Sequence, residues 1–517
     1  MKSYRGSNKY LMPSRMFIVP VVSACMCLAG CSDNNENVDV KALMALISDA
    51  GITGDPTTGR TLPAVDAPKV VLGKKLFFTK GLGGNDDSAC VTCHHPTLGG
   101  GDDLSLPIGV GAEAPDLLGP GRFHDINVTI ATSPSFDGGE FDGGPTVPRN
   151  APTTFNLAMW DRALFHDGRV ESLGKTTGAN GDDGMGIRTP DSAFGVADPD
   201  SGVTLAAAQS RFPVTSPEEM RGFTFAPGST AVLRTALEAK MTALGGWDAE
   251  FTAAFGDAAI TYPRIAEAIG EYERSQVFVD TSWKAFVEGD ENAISESAKR
   301  GAMLFFNTDV SAGGSNCVSC HSGDFFTDEL YHVLATPQIG RGKGNDNGTL
   351  TNDDFGRSRE TGNDADKYKF RTPTLLNVEV TGPWGHAGAY TTLENMVRHM
   401  LNPHDAINNY DFSQLNPTIQ ASDMLTNTQF ALDQLAANRT NGVANVHQAD
   451  NLLRSSSNSD NPIEIDVVVA DLVEFLKTLT DPCVKDRDCL APWIPDAGDT
   501  NPDGLRLNAV NNSGSFL

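Results

Sequence analysis

Positive charge is what this 517-residue chain has least of: 39 lysines and arginines stand against 66 aspartates and glutamates, for a formal net charge of −27. Such a chain repels nucleic acid and anionic lipid surfaces and favours a basic protein as a transient partner. It also lacks an apolar run of membrane-spanning length. After Lys2, Arg5, Lys9 and Arg15, the stretch from Met16 to Leu28 is too short to cross a bilayer. Few segments alternate as half-buried strands do, which argues against an all-β fold. Cysteine is scarce, with 9 residues, so each one can be assigned a use. What remains, 40% hydrophobic and 20% charged, is the composition of a globular protein long enough for more than one core.

A basic start followed by a short apolar run has the layout of an export signal, here closing on Leu28, Ala29, Gly30 and Cys31. This closing box is similar to a bacterial lipoprotein cleavage site, so residues 1–30 are expected to be removed and Cys31 to carry lipid. The expected location is the periplasm, lipid-anchored, with Ser32 favouring the outer over the inner membrane. Cys25 and Cys27 then leave with the signal. Of the remainder, Cys483 and Cys489 are expected to form a disulfide in an oxidising compartment rather than stay as free thiols.

The chain repeats itself. Gly73 to Phe78 (GKKLFF) precedes CVTCH at Cys90, and Gly301 to Phe306 (GAMLFF) precedes CVSCH at Cys317. Downstream, Pro152, Thr153, Asn156, His166 and Gly168 recur in order as Pro373, Thr374, Asn377, His386 and Gly388. Helical spacing dominates: Val232, Leu233, Leu237, Met241 and Leu244 follow the cap candidate Ser229, and Ser295 precedes the second LFF. The expected fold is mainly α, two tandem class I cytochrome c-like domains related by duplication, with long loops. The boundaries read as a linker and short helix over 31–62, domains over 63–272 and 273–480, and a tail over 481–517 that wraps the surface or is disordered.

In CxxCH, two thiols three residues apart form thioethers with haem vinyl groups while the adjacent imidazole binds iron. Cys90, Cys93 and His94, and Cys317, Cys320 and His321, therefore each predict a covalently bound haem c. A zinc site built from two CxxC knuckles would need them close together, and these lie more than two hundred residues apart. His95 is expected to face solvent or a propionate. A helix over Leu393 to Leu401 offers Met396, His399 and Met400, whose alternative use is core packing; the first half has Asn180 at the matching place.

LGKKLFF before CVTCH, RNAPTTFN with FHDGR, the segment Gln209 to Met220, and FRTPTLLN with GPWGHAG and TLENMVRHM together resemble the bacterial dihaem cytochrome c peroxidase and MauG family over residues 65–480. The resemblance implies a peroxidatic first haem and a high-potential second haem with Met400 as distal ligand, His399 being the rival. It implies Glu219 as the distal carboxylate, with Glu218 as the alternative, and Gln209 as its companion. It further implies one calcium ion held by Asn150 and the carbonyls of Thr381 and Pro383. Family members often form homodimers.

Two positions depart from the family. Where many members carry a histidine that blocks the first haem, PIGVG has Val110, so that haem is expected to be open unless His124 takes over. Where many carry an inter-haem tryptophan, FHDGR has His166, matched in the second half by His386. The expected activity is reduction of hydrogen peroxide with electrons from a small c-type cytochrome or copper protein. The alternatives are a MauG-like oxidase acting on tryptophan or tyrosine of a partner protein, and a non-enzymatic electron carrier.

Overall fold

Two helix crossings, each closed on a glycine, organise the chain. The computed structural model describes residues 37–125, 147–222, 228–309, 313–339, 343, 354–419 and 462–517; the expected export signal and lipid-bearing Cys31 lie outside them. Helix α1 (Val40–Asp49), capped by the Asp39 side chain, is followed by α2 (Pro68–Phe78), which starts on a proline. Turns and a short three-stranded antiparallel sheet come next, β1 (Ala163–Leu164), β2 (Val170–Ser172) and β3 (Ile187–Arg188) in that order. They lead to α3 (Leu205–Gln209), α4 (Thr230–Leu244), α5 (Asp248–Phe255) and α6 (Tyr262–Arg274). The second half holds α7 (Ser282–Val287), α8 (Glu296–Phe306), the strand pair β4 (Tyr331–His332) and β5 (Phe370–Arg371), α9 (Ser358–Thr361), α10 (Leu393–Leu401), α11 (Pro403–Asn408) and α12 (Pro462–Lys477). Ser229 and Ser295 cap α4 and α8 as their sequence positions predict.

Helix α2 packs on α6, and α8 on α12, backbone against backbone. A Cβ on Gly73 would lie 1.9 Å from the Ala268 carbonyl oxygen and 2.8 Å from Cβ of Tyr272. A Cβ on Gly301 would lie 1.9 Å from the Asp471 carbonyl oxygen and 2.8 Å from Cβ of Phe475. The matched distances show that the sequence repeat is also a repeat of packing. Helix α6 runs on to Arg274, across the boundary drawn between residues 272 and 273.

Each crossing sits in its own hydrophobic core. Leu76, Phe77 and Phe78 of α2 join Val91, Phe155, Ile269, Tyr272 and Phe278 in one. Phe305 and Phe306 of α8 join Trp283, Phe326, Leu472 and Phe475 in the other, which also takes α1 and residues 157–160 from the first half. The halves meet on Phe278, whose carbonyl accepts from Nδ2 of both Asn156 and Asn377, each at 3.0 Å. The two asparagines share a left-handed backbone, φ 61° and 63°. A buried guanidinium supplies a second tie: Arg149 pairs with Asp167 and with Asp354, both at 2.6 Å.

The tail does more than wrap the surface. Val484, Leu490, Ile494 and Leu507 are buried in the first core. The Leu507 amide donates to Phe78 O at 2.8 Å, and Leu118 N donates to Val510 O at 2.9 Å. Cys483 and Cys489 form the expected disulfide.

Gly301→Ala should force the α8 and α12 backbones apart at a cost of about 1–3 kcal/mol, as overpacking does. A urea midpoint unchanged from wild type would contradict the crossing. Arg149→Met should cost about 3–5 kcal/mol by stranding buried Asp354 and leaving Asp167 to Arg169 alone. Burial opposes ionisation of Asp354, but the Arg149 charge overcomes it and holds the carboxyl well below its usual range. The pair's contribution is thus present above about pH 4 and lost on acidification. Acid unfolding that starts at the same pH in Arg149→Met as in wild type would count against this assignment.

Candidate active site

The two CxxCH segments adopt one geometry. Cys90–Thr92 and Cys317–Ser319 each form a single tight helical turn, reached through similar connections, residues 79–89 after α2 and residues 307–316 after α8. His94 Nδ1–H donates to Gly100 O at 3.1 Å, and His321 Nδ1–H donates to Phe326 O at 3.0 Å. A backbone acceptor at Nδ1 fixes each ring's orientation and tautomer and leaves Nε2 as the metal-binding nitrogen. Burial lowers both imidazoles, so they stay neutral, the form that ligates iron. The four motif cysteines are free thiols, whereas the remaining described pair is a disulfide. Two thiols and an oriented neutral imidazole on one turn, present twice, are a donor set that fits two haem c groups.

His95 corrects its expectation. It is fully buried, because residues 95–101 fold back so that His95 N donates to Gly101 O at 2.9 Å and the ring lies edge-on to Phe78. It does not face solvent, the first of its two expected settings, and its Nδ1 accepts from the Thr97 amide at 3.2 Å.

Glu219 and the first motif come together. Residues Pro217–Arg221 form one wide helical turn, capped by Ser216 and anchored by the buried Met220. Ser216 Oγ donates to Glu218 at 2.9 Å, which tethers that carboxylate, and burial raises it. The Glu219 carboxylate instead acts electrostatically on Cys90, Cys93 and His94. Against this turn lies the Val110 loop: Val110 N donates to Glu218 O at 3.2 Å, and a Cβ on Gly109 would stand 2.3 Å from the same oxygen. Buried Arg122 holds the loop by donating to the carbonyls of Ile108 and Gly109 at 2.7 and 2.8 Å. Val110 is buried, and His124 packs its ring on Gly111 beside it. Gln209 ends α3, which can approach α6 because Gly270 leaves room for Ala207.

Between the halves, Asn150 links the two histidines of the repeat. Its carbonyl accepts from His166 Nε2–H at 3.0 Å, and its amide donates to His386 O at 3.0 Å. Burial, with the Arg149 charge, pushes His166 down to about 3 and His386 to about 4. Both rings are neutral at physiological pH, and His386 stacks on Phe370 at 3.9 Å. The Asn150 side chain donates to Leu104 O at 2.9 Å, leaving its oxygen as the acceptor end. Thr381 and Pro383 flank the cis Gly382–Pro383 bond, and Pro383 lines a groove of about 490 Å³ with Leu98, Gly99 and Trp384.

On α10 the two rival ligands separate. His399 is committed at both nitrogens: Tyr390 Oη donates to Nδ1 at 2.7 Å, and Nε2–H donates to Leu334 O at 2.8 Å. Leu393, Val397 and Leu401 seat the helix on the core that contains Cys317 and Val318, and Met400 is half-buried. At the matching place in the first half, Asn180 spends its side chain on Leu157 O, Trp160 O and Arg274. Two buried residues carry no motif in the sequence: Arg122, whose partners are backbone carbonyls, and Glu273, which stands out only against its counterpart in the second half. Nor does His332, which donates to Asp328 at 2.7 Å beside Cys320.

A family model described as di-haem cytochrome c peroxidase matches residues 67–292. The chain is 26% identical over 381 residues to the methylamine utilization protein MauG of Methylorubrum extorquens, covering 74% of this chain and 80% of that one. It is 26% identical over 362 residues to the cytochrome c551 peroxidase of Nitrosomonas europaea, covering 69% and 81%. A MauG-like protein associated with microbial copper homeostasis shares its fold at a TM-score of 0.52 and 19% identity, covering 86% of this chain and 98% of that one. The diheme peroxidase BthA from Burkholderia thailandensis does so at 0.50 and 22%, covering 87% and 92%. The mainly helical fold, the two CxxCH turns and these similarities agree: over residues 67–292 the chain matches the di-haem cytochrome c peroxidase model, and along most of its length it is similar to MauG and cytochrome c peroxidases, which are peroxidase-type oxidoreductases.

Proposed function

We propose that this chain reduces hydrogen peroxide to water at the haem attached through Cys90, Cys93 and His94, with electrons arriving at the haem attached through Cys317, Cys320, His321 and, distally, Met400. One asymmetry carries the reading: Glu219 acts on the first motif, whereas the second motif has α10, on which His399 is committed and Met400 is not. When bound, the haems supply the iron centres that carry electrons and reduce peroxide. Glu219 takes a proton from one peroxide oxygen and returns it to the other, so that the departing oxygen leaves as water. Two electrons and two further protons complete the conversion of one peroxide to two waters. Gln209 is its pocket companion. The Glu218 carboxylate, tethered to Ser216, helps fix the turn that presents Glu219.

His166, neutral and bound to Asn150, serves between the haems as a hydrogen-bonding bridge. Calcium, bound by the Asn150 oxygen with the Thr381 and Pro383 carbonyls, would stiffen the junction of two tandem cytochrome c-like domains; the matched glycine crossings support that domain reading. The excess of acid favours a small basic cytochrome or copper protein as donor. Attachment to the outer membrane through Cys31, on the periplasmic side, and a homodimer belong to the same proposal. A second reading, MauG-like oxidation of a partner's tryptophan or tyrosine, is favoured by Val110, which cannot ligate iron in the loop fixed by Arg122. Mass shifts on a partner protein after peroxide treatment would identify it.

Glu219→Gln should lower peroxide turnover with a reduced c-type cytochrome by about 10²-fold or more while leaving the absorption spectrum of both haems in place. Undiminished turnover rules out its role. Met400→Leu should lower the potential of the second haem, since it removes a thioether ligand. A potentiometric titration that superimposes on wild type removes Met400 from the coordination sphere.

A further inference from the structure

The two helix crossings differ at one buried position. Residue 273 follows Tyr272, which packs on Gly73; residue 476 follows Phe475, which packs on Gly301. In the second half this position is Leu476, buried in the core that contains Cys317 and Val318. In the first half it is Glu273, only 4% exposed, and its Oε2 has no hydrogen-bond partner among the described residues. A buried carboxyl oxygen left without a partner where the equivalent position carries an apolar side chain costs stability, which marks it as a candidate for function rather than packing.

Its surroundings are specific. After burial, Glu273 is the largest electrostatic influence on the Cys90 thiol. The titratable groups it acts on include Cys90 on the motif turn and Tyr272 on its own helix. The lysines of α2, the helix packed on α6, are engaged elsewhere: Lys75 with Glu250 at 2.9 Å, Lys74 with Pro492 O at 3.1 Å, and Lys69 with Glu267. Burial pushes the Glu273 carboxyl up to about 8, so a modest change of nearby charge decides its protonation.

We propose that Glu273 is the proton-coupling group of the first haem, protonated while that haem is reduced and ionised while it is oxidised. The proposal rests on the reading that a haem is attached at Cys90 and Cys93. Oxidation removes one electron from the haem and leaves one more positive charge beside the carboxyl. The charge favours the carboxylate, and the proton goes to solvent; reduction returns one electron and one proton. Coupling of this kind lets the first haem give up electrons without building net charge in the core, and Leu476 leaves the second haem uncoupled.

The test uses the full haem-loaded chain. A haemochrome spectrum and an intact mass establish first that two haems are covalently attached; failure there refutes the haem reading, not the role of Glu273. The potential of each haem is then followed by absorbance as pH is stepped from about 6 to about 9, around the value that burial gives the carboxyl. The first haem's potential should fall by about 59 mV for each tenfold drop in proton concentration, the value for one proton per electron. In Glu273→Gln and Glu273→Leu it should be flat, in Glu273→Asp the slope should persist, and the second haem should not change. A flat wild-type profile, or a slope retained in Glu273→Gln, overturns the proposal. If Glu273→Leu does not take up haem, the Gln and Asp variants decide.

Discussion

Two helices can meet backbone to backbone only where one of them carries no side chain, and the rest of this structure depends on that constraint being met twice. At Gly73 and at Gly301 a methyl group would lie 1.9 Å from a carbonyl oxygen. The contact seats α2 and α8, and from each a connection of similar length leads to a Cys-x-x-Cys-His turn. Aromatic residues supply the adhesion around each glycine, Phe77 with Tyr272 in one half and Phe305 with Phe475 in the other. The imidazoles that follow are then aimed by backbone carbonyls, not by side chains, so their orientation is a property of the fold itself.

On this repeated frame the two halves are made different by a few polar residues. The first has Glu219 on a capped turn and Glu273 on the crossing helix. The second has Leu476 at the latter place and, on α10, a methionine beside a histidine held by Tyr390 and Leu334. The apolar parts of the repeat set position; the polar departures set chemistry. Arg149 binds the halves so that neither set moves relative to the other, at the cost of burying three charges.

Much of this was legible in the residues alone because the repeat supplies its own internal comparison. The haem turns, the caps Ser229 and Ser295, the helix Leu393–Leu401 and the disulfide follow from spacing and residue type, which are local. What the residues alone did not show is non-local. His95 was expected to face solvent or a propionate, but residues 95–101 fold back and bury it against Phe78. Met400 and His399 are adjacent letters on one helix, and only the distant Leu334 carbonyl and Tyr390 hydroxyl tell them apart. Arg122 left no trace in the sequence because its partners are backbone carbonyls, which every residue has.

The tail has a consequence for how the molecule is made. Leu507 pairs with Phe78, Val510 with Leu118, and Leu490 and Ile494 fill the first core, so the half that leaves the ribosome first is the last to be completed. Until residues beyond 500 exist, the ends of α2 and of the loop that backs the Val110 segment lack their partners. The first core therefore closes as a product of the whole chain, not as a unit that folds while the second half is still being made.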